Sequence, residues 1–174
     1  MRKTIMEIQN SVPRTMYSID CPMLSIEKHL EQFNVNLDPK YQRDYVWTTE
    51  QQEKFVGALI EYPRSIPNFV FNFTTIGSNY LSGNSEIVDG KQRINSCLKW
   101  KRGEISALCP CGDKVEFNSL NEVEERILGI ATTMKWIFIN LPPVDVMKYY
   151  IRLNSGGTVH SNEELDRVRK LIRE

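Results

Sequence analysis

The stretch that most narrows the folds open to this chain is Ser85–Ser96, which reads SEIVDGKQRINS. Ile87 and Val88 are β-branched and apolar, and read as the end of a strand. Asp89-Gly90 then turns the chain into a helix, marked by Ile94, Cys97 and Leu98 at helical spacing and stopped by Gly103. A strand that feeds a helix through so short a turn demands a sheet with that helix packed against it. Asn68–Thr74 (NFVFNFT) reads as a second strand, joined to the first by a hairpin loop with Gly77 and Gly83, and Lys135–Leu141 (KWIFINL) as a third, ended by Pro142 and Pro143.

Helical periodicity fills the intervals. Ile26, Leu30 and Phe33 share a face in Ser25–Phe33, and Phe55, Val56, Leu59 and Ile60 form the stripe of a helix that opens at a Thr49–Gln52 capping box and closes at Pro63. Asn121–Ile130 reads as a helix, and Val146, Met147, Tyr150 and Leu153 mark another. A final helix opens at a second capping box, Ser161 with Glu164. The segment ISALCPCGDKVEFNS reads as a small hairpin with Cys109-Pro110-Cys111-Gly112-Asp113 at its turn. Strands and helices in this mixed order predict an α+β domain. The 174 residues hold no repeat or linker, so one domain over 1–174 is expected, with residues 1–23 as an extended arm.

The 22 basic and 22 acidic side chains cancel, so no global field points to nucleic acid or membrane, although a local basic patch stays open. No window approaches 18 consecutive apolar residues and no apolar core follows the early cations, so a cytoplasmic protein without membrane contact is expected. Cys21, Cys97, Cys109 and Cys111 are too few and too irregular for a disulfide framework. Cys109-Pro110-Cys111-Gly112 is similar to half a zinc knuckle, but its spacing is one residue short and no second pair follows. The expectation is free thiols and no metal site.

Three segments carry chemistry. If Gly90 is the turn, the N–H groups of Lys91, Gln92 and Arg93 point out of a helix start, and with both cations they make an anion site suited to phosphate. The same residues fit a bare structural role: Asp89 caps, Gly90 eases the turn, Lys91 and Arg93 are solvated. In Pro39–Trp47 the aromatics could stack a base while Arg43 meets phosphate or pairs with Asp89; equally, Tyr41, Tyr45 and Trp47 could anchor the loop in the core. Asn154-Ser155-Gly156-Gly157 lets the backbone approach a ligand, or is an ordinary helix end.

In order along the chain, Pro-x-Tyr-Gln-Arg-x-Tyr-x-Trp (39–47), Ser-Ile-Pro (65–67), Ile-Val-Asp-Gly-Lys-Gln-Arg (87–93) and Arg-Leu-Asn-Ser-Gly-Gly (152–157) resemble the N-terminal domain of GmrSD-type modification-dependent restriction systems. The resemblance implies a ParB/sulfiredoxin-like fold, a small mixed sheet flanked by helices. It implies that Asp89, Gly90, Lys91, Gln92 and Arg93 bind and help hydrolyse a nucleoside triphosphate, and that Tyr41, Gln42 and Arg43 face the same pocket, with Asn154, Gly156 and Gly157 completing it. Asp89, Gln92 and Arg93 are then the catalytic candidates, Mg²⁺ the expected cofactor, and DNA and a separate nuclease or defence protein the expected partners. On this reading Arg93→Ala abolishes phosphate release and leaves the fold intact. Positions 90–93 lack the cysteine that sulfiredoxin carries there, with Cys97 one turn on, so reductase chemistry is not expected. With only His29 and His160, no nuclease domain of the His-Asn-His type is expected. A non-catalytic binding module and a direct ParB-like nuclease are the competing readings.

Overall fold

Alternating aromatic and β-branched residues give the centre of the molecule its sheet. In the computed structural model, which describes residues 15–62, 66–75, 83–154 and 162–173, the strands are β1 (Thr15–Pro22), β2 (Val35–Asn36), β3 (Phe69–Phe73), β4 (Ser85–Asp89), β5 (Ala107–Leu108), β6 (Lys114–Val115) and β7 (Thr133–Ile139). The helices are α1 (Ile26–Gln32), α2 (Thr49–Glu61), α3 (Lys91–Lys101), α4 (Glu122–Ala131), α5 (Pro143–Asn154) and α6 (Asn162–Leu171). Five strands form one mixed sheet in the order β1-β7-β3-β4-β2, and β5 pairs with β6 as a separate hairpin. β7 runs parallel to β3, β3 antiparallel to β4, and β2 parallel to β4. The domain is α+β, as its sequence predicts.

β3 is buried at every position, because helices cover both faces of the sheet. Phe69, Phe71, Phe73, Ile87, Met134, Trp136 and Phe138 point to one face, where α1 to α4 contribute Ile26, Val56, Leu59, Ile94, Cys97, Trp100 and Leu128. Val70, Val88 and Ile139 point to the other, against Tyr41, Val146 and Tyr150, with Val168 from α6. The period-2 alternation of side chains thus separates two cores.

Three details differ from the sequence reading. The capping box of α2 is Thr48 with Gln51, one residue early; Gln52 is buried instead and donates to the Trp47 carbonyl at 2.8 Å. β7 stops at Ile139, and beyond it the Leu141 backbone bonds to the Asn72 side chain, whose Oδ1 accepts from the Leu141 N–H at 2.8 Å. Residues 15–22 of the expected arm are β1, which pairs with β7 from Thr15 opposite Ile139 to Pro22 opposite Thr133. The expected Pro63 stop, the loop glycine Gly77 and the Ser161 cap lie outside the described residues.

Candidate functional site

The β4–α3 corner is built around a glycine. Gly90 adopts φ +107°, a left-handed conformation, and a Cβ placed there would lie 2.5 Å from Cδ1 of the buried Phe69. No side chain caps α3, so the N–H groups of its first turn, at the positive end of the helix, have no side-chain acceptor. Gly90→Ala combines left-handed strain with overlap on Phe69, and is expected to lower unfolding free energy by about 2 kcal/mol or more. Chemical denaturation checks this; an unchanged midpoint would show that the corner relaxes freely.

Lys91, Gln92 and Arg93 are only 7%, 8% and 9% exposed, and each has partners on the protein. Lys91 Nζ donates to the Arg43 carbonyl at 2.7 Å and pairs with Asp38 at 2.6 Å. Gln92 Oε1 accepts from the N–H groups of Val46 at 3.0 Å and Trp47 at 3.2 Å, while its Nε2 donates to the Asp44 carbonyl at 3.1 Å. The Arg93 guanidinium donates to the carbonyls of Pro67 and Asn68, pairs with Asp89 at 3.0 Å, and lies 4.6 Å over the Phe69 ring. The sequence offered Lys91 and Arg93 either to phosphate or to solvent. Buried cations need partners, and here main-chain carbonyls and two carboxylates fill that role.

The segment 38–47 has no helix or strand to satisfy its backbone; beyond the turn in which the Gln42 N–H donates to the Pro39 carbonyl at 2.8 Å, side chains do much of it. β2 pairs β4 only at Ser85 and Glu86. Where it ends, Gln42 Nε2 donates to the carbonyls of Ile87 at 3.1 Å and Val88 at 2.8 Å, and the Tyr41 hydroxyl to that of Ile87 at 3.2 Å. From α6, Arg167 donates to the carbonyls of Lys40, Tyr41 and Gln42 at 2.8, 3.1 and 2.9 Å, and pairs with Glu164 at 2.8 Å. Tyr45 shares a hydrogen bond with Ser96 at 3.0 Å. Trp47 packs on Phe55 with centroids 5.5 Å apart. Sequence reasoning passed over Arg167 and Asp38, since nothing local distinguishes an arginine three residues after a glutamate from any solvated helical pair.

These segments enclose a cleft of about 280 Å³. Val88 to Arg93 form one wall, Gln42, Arg43 and Trp47 another, and Tyr150, Leu153 and Asn154 of α5 the third. Of the residues expected to bind nucleotide, Gln42, Arg43, Gly90, Lys91 and Asn154 line it together with Asp89, Gln92 and Arg93. Tyr41 is instead a core residue, 4% exposed and packed 5.4 Å from the Tyr150 ring. Gly156, Gly157 and His160 lie outside the described residues. Asp89 keeps 40% of its side chain exposed beside its arginine partner. Asn154 donates to the Tyr150 carbonyl at 2.8 Å.

Burial pushes the Tyr150 phenol up to about 12, which keeps it protonated at the cleft wall. Burial does the same to the Cys97 thiol, also up to about 12, and its side chain is 0% exposed in the core. It is no nucleophile for the cleft. Behind Tyr41, burial raises the Glu86 carboxyl above its ordinary 4.5, against opposing hydrogen bonds from Tyr41 and Asn72. A carboxyl raised by folding leaves stability intact below the unfolded value and weakens it as pH climbs through the folded one. Glu86→Gln is therefore expected to match wild type below about pH 4 and to exceed it at about pH 7, read as the pH dependence of the denaturation midpoint. A variant less stable at neutral pH would contradict this.

The fold and cleft define an α+β domain in which the start of α3, without a side-chain cap, adjoins a three-walled hollow. The family model described as GmrSD restriction endonuclease, N-terminal domain, matches residues 26–168, and the chain belongs to that family. No curated protein and no solved structure gave a match. The chain is thus a domain of the restriction-system type. Among the described residues, no helix is long and apolar enough to cross a membrane.

Proposed function

We propose that the cleft binds a nucleoside triphosphate and that the domain hydrolyses it while acting on DNA within a restriction system, on a ParB/sulfiredoxin-like architecture. The observation that carries this reading is the start of α3, where first-turn N–H groups without a side-chain cap adjoin a cleft lined by Arg43, Gln42 and Asn154. Oriented amides at a helix N-terminus suit phosphate, and an arginine on the facing wall adds charge. Lys91, Gln92 and Arg93 act through position: they hold the walls around the phosphate, with Arg93 orienting Asp89. Gly156 and Gly157 remain part of the proposed site by their place after Asn154 in the sequence.

Asp89 fits Mg²⁺. It is a half-exposed carboxylate at the cleft wall, and Mg²⁺ on a nucleotide needs only one or two protein carboxylates beside phosphate oxygens. Bound there, the ion would neutralise charge developing on the phosphates. A second reading, a module that binds without turnover, draws on the engagement of Gln92 and Arg93, two of the expected catalytic residues, with the protein's own main chain.

The test is phosphate release from each of four nucleoside triphosphates with Mg²⁺, with and without DNA, beside the thermal shift each nucleotide gives. Release that needs Asp89 supports hydrolysis. A thermal shift without release supports the module. Neither shift nor release with any nucleotide overturns the nucleotide reading.

A further inference from the structure

The helix α4 buries little of its apolar surface. Leu128 is 8% exposed, but Val123, Ile127 and Ile130 are 65%, 59% and 76% exposed, and their spacing puts them on one stripe. The helix is not loosely seated, since a Cβ built on Gly129 would lie 3.0 Å from Leu24 Cδ1. At Ile127 the stripe runs into a groove of about 240 Å³ whose lining includes Trp100, Leu128, Val115 and Ile60. Single exposed apolar residues are ordinary, but a contiguous stripe beside an apolar groove marks an interaction surface.

Charge decides what fits it. The first turn of α4 carries Glu122, Glu124 and Glu125, and its last turn carries no basic residue. Glu124 also lines the groove, and Arg126 is the one basic residue of the helix. With 22 cations balancing 22 acids overall, this acidity is local. A second copy is a poor occupant. Parallel packing of two α4 helices sets acid on acid, and antiparallel packing sets the acidic turn against the negative end of the partner's helix dipole.

We infer that α4 and its groove dock an amphipathic helix of a partner protein, with an apolar ridge against Val123, Ile127 and Ile130 and lysines or arginines over the glutamates. This is helix-in-groove recognition. The groove shares no lining residue with the nucleotide cleft, so the inference stands apart from the nucleotide reading.

A labelled peptide of roughly 18 residues, with leucine along one face and lysine elsewhere, is the probe, since shorter isolated helices are marginal. Its counterpart replaces every lysine by glutamate. Fluorescence anisotropy with the full chain is expected to show saturable binding of the lysine peptide that weakens with salt, and at least about tenfold weaker binding of the glutamate peptide. Ile127→Gln with Ile130→Gln, both at exposed positions, is expected to reduce binding of the lysine peptide by about tenfold or more at an unchanged melting temperature. Absence of binding, equal binding of both peptides, or binding that the glutamine pair leaves unchanged overturns the inference. Sedimentation showing a dimer that the glutamine pair abolishes also overturns it and gives the surface to a second copy.

Discussion

Arg93→Ala is expected to lose about 3 kcal/mol of stability, a large share of the 5–15 kcal/mol typical of a domain. The Arg93 side chain is 11% exposed, so its removal strips donors from the carbonyls of Pro67 and Asn68, leaves Asp89 without this cation, and uncovers the face of Phe69. Each buried carbonyl left without a donor carries a desolvation cost. The variant is then expected to fold, as the sequence reading has it, but with reduced stability. The denaturation midpoint measures it. Arg93→Lys is expected to recover only part of the loss, since a lysine ammonium does not reproduce a planar fork over an aromatic ring. A wild-type midpoint in Arg93→Ala would mean that these contacts do not hold the corner.

On the proposed nucleotide reading, Asp89→Asn is expected to leave the fold intact and to remove phosphate release. The side chain is 40% exposed and an amide oxygen still accepts from Arg93, so the midpoint is expected to move little. The carboxylate charge is what would hold Mg²⁺, and the ion in turn would neutralise charge on the phosphates, so loss of the carboxylate is expected to lower turnover by about 100-fold or more. Phosphate release with the melting curve held as control reads the two effects apart. Turnover equal to wild type would remove Asp89 from the mechanism, and a folded variant with unchanged nucleotide affinity would assign it to chemistry alone.

Local pattern made much of the fold legible. β3, β4, β7 and the helices α2 to α5 announce themselves through period and punctuation within single windows, and the turn at Gly90 was readable from its place between strand and helix. β1 was not read as a strand, although Tyr17, Ile19 and Cys21 alternate with Met16, Ser18 and Asp20, because that short alternation gains meaning only beside β7. The start of α2 offered two threonines, each with a glutamine three residues on; what chose Thr48 was the Trp47 carbonyl taking up the Gln52 side chain. At the cleft, the meeting of positions 42–43, 89–93 and 154 was implied by the family resemblance and not by any single segment. The direction taken by Lys91 and Arg93 was not legible, since it depends on carbonyls 48 and 25–26 residues away.

The pinning of segment 38–47 by Gln42, Lys91, Gln92 and Arg167 has a consequence for any mutational scan of this domain. Each of those side chains is a strut in a wall whose backbone has no ladder of its own. Deleting one would deform the cleft from behind, so a drop in ligand affinity at these positions would report architecture as readily as contact. The residues that look most like a ligand's fingers are, in this fold, the hand that keeps the pocket open.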